Sequence, residues 1–458
     1  MTKLRSINPT TGAVQYEVEA LSDDALEQHL AGAQSAFADW KLARFSDRAK
    51  VLNDVAALMR GDIENLARLM TDEMGKPIRE ARGEVEKAAW CAEHYAEHAE
   101  SYLATEQIVS DASQSYVQYR PLGVILGILP WNAPFWLAFR FAAPTLMAGN
   151  ACLMKHDPHV PGCAEAIGQL FERAGAPAGL FVNLPLETER VADVIRDRRV
   201  QAVSYTGSER GGGIVASTAA AEIKHSVLEL GGSDPAIVLA DADLEKAADT
   251  ICLSRIINAG QSCIAAKRII VESSVHDDFV ELLHERLARL KLGDPSDEAT
   301  DVGPIARADL RENLHRQVGE TVAAGALCPL GGELPEGDGY FYPVTLLTGV
   351  TREMTAAREE TFGPIAVVMK VADEDEAVEL ANDTDYGLAA AVWTRTERGV
   401  AMANRLETGQ VAINGIVKTD PRLPSGGIKR SGIGRELGPH GIREFVNAQQ
   451  VWVGPVKA

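Results

Sequence analysis

The sequence predicts an α/β protein built from two doubly wound, mostly parallel sheets, with a small β ribbon beside them. Three observations carry this. From Gly123 to Gly212 short apolar runs alternate with amphipathic stretches, the strand–helix order of an open parallel sheet. A second series of the same kind begins near Ala236. With 458 residues and 46% hydrophobic content, the chain is also too long for one core and should divide into two or three domains.

In chain order, the first hundred residues read as helices over 23–40, 46–70 and 78–103, where apolar side chains recur three and four apart and Asp23 and Ser46 offer N-cap oxygens. Residues 115–119 alternate as an exposed ribbon does, and 123–129 form the continuous apolar run of a buried strand. Strands over 151–155, 181–184 and 202–205 are separated by helices over 162–173 and 189–196, and another helix follows Gly207. The second series has strands at 236–239, 267–271, 366–370 and 390–394, with helices at 244–258 and 275–289. Residues 448–453 alternate again. A lone terminal strand needs another sheet edge, and a partner subunit is the expected source.

Composition excludes several classes of function. A net charge of −20 repels nucleic acid and anionic membrane surfaces. There is no secretory leader pattern and no apolar run of about 18 residues, so a cytoplasmic protein that does not enter membranes is expected. Six scattered cysteines without C-x-x-C spacing argue for free thiols and against a disulfide framework or a metal site.

Two residues stand out chemically. Cys263 lies in Gly260-Gln261-Ser262-Cys263-Ile264, and Glu229 lies upstream in Leu228-Glu229-Leu230-Gly231-Gly232. They read as nucleophile and base: a thiolate attacks carbonyl carbon readily, and a carboxylate can activate the water that releases the acyl group. Alone, such a cysteine is more often a small buried hydrophobe and such a glutamate a solvated strand end, so the case rests on their surroundings. Ser204-Tyr205-Thr206-Gly207-Ser208-Glu209-Arg210-Gly211-Gly212 joins a strand to a helix and could turn backbone N–H groups toward a pyrophosphate. Gly432-Ile433-Gly434 looks like part of a dinucleotide fingerprint but has no following βαβ unit, so it is read as a decoy.

The whole set resembles the aldehyde dehydrogenase superfamily of non-phosphorylating, NAD(P)-dependent enzymes. The markers run in family order: Asn8-Pro9-Thr10-Thr11-Gly12, Pro130-Trp131-Asn132, Lys155, Tyr205-Thr206-Gly207-Ser208, the Glu229 and Cys263 segments, Glu360-Thr361-Phe362-Gly363-Pro364 and Gly426-Gly427. Lys155-His156-Asp157-Pro158, Asp420-Pro421-Arg422-Leu423-Pro424 and Gly427-Ile428-Lys429-Arg430-Ser431-Gly432 look most like the short bacterial succinate-semialdehyde dehydrogenases. The resemblance implies a Rossmann-like cofactor domain over 1–102 and 122–231, a catalytic domain over 232–430, and an oligomerisation ribbon over 103–121 and 446–458. A homodimer or homotetramer goes with it.

It also implies roles. Cys263 is the nucleophile, Asn132 and the Cys263 backbone N–H are the oxyanion donors, and Glu229 is the base that hydrolyses the thioester. For NAD or NADP, Lys155 meets the adenosine ribose, Gly207, Ser208 and Gly212 form the pyrophosphate turn, Glu360 holds the nicotinamide ribose with Phe362 nearby, and Trp131 lines the adenine side. NAD-preferring relatives often carry a glutamate where this chain has Pro158, so a 2′-phosphate is permitted. Arg140 and Thr419 match substrate positions, the guanidinium suiting a carboxylate. Ile257 stands where some of those enzymes have a second arginine, and Phe141 where many relatives have a lysine. The expected reaction is oxidation of succinate semialdehyde or a similar ω-carboxy aldehyde. The alternatives are an enzyme for uncharged aliphatic or aromatic aldehydes and a non-catalytic binding or structural protein on the same fold. Transfer to coenzyme A is disfavoured by Glu229, which would divert the thioester to water.

Overall fold

The computed structural model describes residues 3–454. Its first sheet has six strands in the order Gly432–Ile433, His225–Glu229, Val200–Thr206, Val124–Leu129, Ala151–His156 and Phe181–Asn183. All neighbours are parallel except the first pair. Val124–Leu129 and Ala151–His156 are buried at every position, with helices Asp23–Trp40 and Pro134–Met147 packed on them. Strands covered in this way need no polar face, which is why they read as unbroken apolar runs.

The second sheet has seven strands in the order Leu327–Leu330, Thr345–Thr348, Ile365–Val371, Arg268–Glu272, Pro235–Val238, Ala389–Trp393 and Gln410–Ile413, again parallel apart from its first pair. Each sheet has its own apolar core, one centred on residues such as Leu126, Phe139 and Leu153, the other on Ile237, Ile270 and Val367. The fold class is therefore the expected one: two parallel-sheet units plus a ribbon. No helix among the described residues is long and apolar enough to cross a membrane.

Several local expectations need correction. The stretch 46–70 is two helices, Phe45–Gly61 and Ile63–Met74, because Asp62 leaves helical geometry (φ −122°, ψ 21°) directly after a glycine. Ser46 is not a cap, since the helix already begins at Phe45; the first helix is capped by the Ser22 side chain accepting from the Ala25 N–H, not by Asp23. An N-terminal hairpin, Lys3–Ile7 with Val14–Glu19, turns on Asn8-Pro9-Thr10-Thr11-Gly12, where Gly12 is left-handed (φ 73°).

The terminal strand finds its edge in its own chain. Val446–Val453 pairs antiparallel with Gln114–Pro121 along its whole length, from Val446 opposite Pro121 to Val453 opposite Gln114. It is the outer strand of a three-stranded sheet, so its other side remains an open edge. Residues 455–458 of the expected ribbon lie outside the described residues. Gly432–Ile433 is no phosphate loop: it adds an antiparallel edge strand with Gly432 opposite Glu229. Only glycine suits that position, because φ is 143° and a Cβ would collide with the Leu228 carbonyl.

Candidate active site

The candidate reactive residues sit at or next to the strands of the two sheets. Asn132 follows Val124–Leu129, Glu229 is the last residue of its strand, and Cys263 lies in the loop between helix Leu244–Ile256 and strand Arg268–Glu272. Asn132 and Glu229 thus stand at the carboxyl ends of their strands, where open α/β sheets bind ligands, whereas Cys263 comes before its strand.

Asn132 is held from several sides. Its Nδ2 donates to the Gln261 carbonyl at 3.1 Å, while its own carbonyl accepts from Lys76 Nζ (3.0 Å) and Asn258 Nδ2 (2.9 Å). Behind it, Ala133 provides no side-chain cap for helix Pro134–Met147, and Glu84 from another helix takes that part. Its Oε1 accepts from the Phe135 and Trp136 N–H groups at 2.9 and 3.2 Å, and its other oxygen pairs with buried Lys76. A negative charge at a helix N-terminus is favourable there.

The cysteine loop is shaped by an unusual turn. Asn258 and Ala259 are both left-handed (φ 55° and 53°), and Gly260 follows with φ 75°, where a Cβ would meet the Gly363 backbone. Such geometry costs about 1–3 kcal/mol per non-glycine residue and persists only when its surroundings enforce it. Here Arg255, fully buried, donates to the carbonyls of Gly260 (2.7 Å), Ala266 (3.2 Å) and Thr361 (3.4 Å), and the Asn258 N–H reaches Glu80 Oε2 at 2.7 Å. Arg255 thus braces the loop instead of facing a ligand. Burial pushes the half-buried Cys263 thiol up to about 11, against the opposing charges of Lys267 and Arg140. Lys267 donates to the carbonyls of Ser262 (3.0 Å) and Cys263 and pairs with Glu360 at 3.1 Å.

Glu229 is 5% exposed, and burial raises it to about 8, with Arg140 pulling in the opposite direction. Its Oε2 lies 3.2 Å from Arg140 Nη2, while its Oε1 has no hydrogen-bond partner. The same guanidinium pairs with Glu436, also buried. Sequence reasoning missed Glu436. It reaches the site because Gly432 pairs opposite Glu229 and because Ser425 and Glu436 exchange backbone hydrogen bonds at 2.7 and 2.8 Å. The signal was the Gly432-Ile433-Gly434 run, which marks this turn. Arg140 accordingly differs from the fork expected to await a ligand: it is already shared between two carboxylates of its own chain. Phe141 packs against Gly127 and Phe445.

On the dinucleotide side, the residues suit an anionic, hydroxyl-bearing ligand. Lys155 is 5% exposed, and its ammonium has no hydrogen bond or ion pair with any described residue, so burial lowers its pKa. Ser208 caps helix Glu209–Ala221 by accepting from the Gly211 N–H at 3.3 Å, and the Gly207 N–H donates to the Glu229 carbonyl at 3.0 Å, tying this turn to the strand that ends at Glu229. Gly212 lets the helix approach Leu230, whose side chain a Cβ would meet at 2.6 Å. Glu360 Oε1 accepts from the Gly232 N–H at 3.1 Å. Trp131 and Phe362 meet edge to face with centroids 5.9 Å apart. Pro158 lies in the turn after Ala151–His156, between Asp157 and His159, which pair at 2.7 Å. Thr419 is buried and accepts from Lys87 Nζ at 2.9 Å.

The chain belongs to the aldehyde dehydrogenase family, whose model matches residues 1–451. It is 47% identical to the probable succinate-semialdehyde dehydrogenase (NADP+) of Synechocystis sp., over 98% of this chain and 99% of that protein. Against the NAD(P)+ succinate semialdehyde dehydrogenase of Escherichia coli the identity is 46%, covering 98% of this chain and 97% of the other. Among solved structures, succinic semialdehyde dehydrogenase from Streptococcus pyogenes in complex with NADP+ superposes with a TM-score of 0.97 at 36% identity, over 99% of this chain and all of that one (100%).

Proposed function

We propose that this protein is an NAD(P)-dependent aldehyde dehydrogenase that oxidises succinate semialdehyde, or a similar short ω-carboxy aldehyde, to the acid. The observation that carries this is the Asn132 Nδ2 hydrogen bond to the Gln261 carbonyl, which ties the oxyanion asparagine to the cysteine loop. The relatives' names point to the same substrate and to NADP or either of the two cofactors.

Cys263 Sγ forms a bond to the aldehyde carbon once its proton is lost. The charge that develops on the former carbonyl oxygen meets the second hydrogen of the Asn132 amide and the Cys263 backbone N–H. A bound dinucleotide would supply the hydride acceptor for that carbon, leaving the acyl group on Sγ as a thioester. Glu229, deprotonated, then takes a proton from the water that cleaves the thioester and frees Sγ. Lys155, the turn at Gly207, Ser208 and Gly212, and Glu360 with Phe362 and Trp131 hold the dinucleotide, and Pro158 leaves room for a 2′-phosphate. Thr419 lies at the substrate end, beside an Arg140 whose guanidinium is already paired with Glu229 and Glu436.

A panel of aldehydes against both cofactors, read by nicotinamide absorbance, tests the reading: succinate semialdehyde should give the highest kcat/KM. A higher value for butanal or benzaldehyde would favour the neutral-aldehyde alternative, to which the internal pairing of Arg140 lends some support.

The division into a cofactor domain (1–102, 122–231), a catalytic domain (232–430) and a ribbon belongs to the same proposal, supported by the two separate apolar cores. The open edge of Val446–Val453, with Trp452 and Val453 exposed, supports a homodimer or homotetramer of a cytoplasmic enzyme. Light scattering in solution would settle its size.

A further inference from the structure

Lys87 lies on helix Ile78–Tyr102, one turn beyond Glu84. Its Nζ donates to Thr419 Oγ1 at 2.9 Å and stands 4.2 Å from the centroid of the Trp136 ring, in cation–π range. No described carboxylate lies within ion-pair distance of it, because every acid nearby has another partner. Glu84 is taken by Lys76 and two backbone N–H groups, Asp420 by Arg422, and Glu229 and Glu436 by Arg140. Arg140 itself is already engaged by Glu229 and Glu436.

A half-buried ammonium with no counter-ion is unfavourable in a low-dielectric setting. Burial and the nearby charge of Arg140 lower its pKa to about 8, so the group remains mostly protonated at neutral pH. An aromatic face and a hydroxyl orient the charge, which has no carboxylate partner among the described residues.

We propose that Lys87, together with Thr419, seats the remote carboxylate of the aldehyde and thereby sets the enzyme's substrate class. The inference rests on the ω-carboxy aldehyde reading above and adds the residue that supplies the uncompensated charge.

The test compares Lys87→Met, Lys87→Gln and Lys87→Arg in the full-length enzyme, using kcat/KM for succinate semialdehyde divided by that for butanal. Both neutral variants should lower this ratio about ten- to a hundredfold, the worth of a charge-assisted hydrogen bond. Lys87→Gln retains a donor to Thr419, so a folding failure of Lys87→Met leaves the charge effect readable. Lys87→Arg should restore most of the ratio. Inhibition of butanal oxidation by succinate should weaken in parallel.

In the wild type, KM for succinate semialdehyde should rise as pH passes about 8 and Lys87 loses its proton, and Lys87→Arg should remove that rise. The groups facing Lys87 are Glu84 and Cys91 on its own helix, Arg140 on helix Pro134–Met147, and Asp420. A wild type that strongly prefers succinate semialdehyde, with neutral variants whose ratio stays within about twofold, would overturn the seat and leave the substrate reading intact. A wild type without that preference would overturn both.

Discussion

Replacing Arg140 by leucine tests the base directly. Arg140 is the shared counter-ion of Glu229 and Glu436, which are 5% and 6% exposed. At the 3.2 Å separation of the Arg140–Glu229 pair, an effective dielectric constant of about 20 gives an attraction of about 5 kcal/mol, equivalent to about 4 pKa units. That is an upper limit, because protonation of either acid relieves the strain once the guanidinium is gone. Half of it is enough: Glu229, already raised to about 8 by burial, would move up by about two further units. The sign follows from the role. A base works in its deprotonated form, so at neutral pH the competent fraction falls about tenfold per unit, and the hydrolytic step slows about a hundredfold for every aldehyde. Attack by Cys263 and hydride transfer do not need Glu229. Rapid mixing should therefore show a burst of reduced cofactor followed by slow turnover, and the steady-state rate should climb with pH well beyond the point where the wild type levels off. With succinate semialdehyde, kcat/KM should suffer an additional loss if Arg140 also meets the substrate. A wild-type pH profile in Arg140→Leu would refute the argument that this ion pair governs the base.

Other substitutions separate the remaining roles. Cys263→Ala should abolish oxidation, since no other cysteine shares the loop, and activity above a few per cent of wild type would remove Cys263 as the nucleophile. Glu229→Gln should retain the burst and lose turnover at all pH values, unlike Arg140→Leu; a normal steady-state rate would contradict the assignment. Pro158→Glu sets a carboxylate against a 2′-phosphate and should shift the NADP-to-NAD ratio of kcat/KM toward NAD by about tenfold, whereas an unchanged ratio would mean that this turn does not meet the adenosine ribose.

Some of this architecture could be read locally and some could not. The buried strands announced themselves as apolar runs because helices pack on them and no polar face is needed. The break at Asp62 and the N-terminal hairpin went unread, because the periodicity on either side of Asp62 barely changes and the hairpin's strands are half exposed. Cys263, Glu229 and Asn132 were legible as parts of short motifs, and Lys155 and Ser208 as residues at a strand end and a helix start.

The sequence by itself determined the two α/β series and the acidic surface, and it supplied the candidate nucleophile, base and oxyanion donor, because each depends on residues that are neighbours in the chain. Only the tertiary structure decided what surrounds them. Glu436 reaches Arg140 through an edge strand that the sequence presented as a false phosphate loop, and Lys87 meets Thr419 across 332 residues. The physical reason is that burial and charge balance are sums over everything nearby in space: whether Arg140 is free for a ligand, whether Lys87 lacks a counter-ion and how far Glu229 is raised depend on partners that no local spacing encodes.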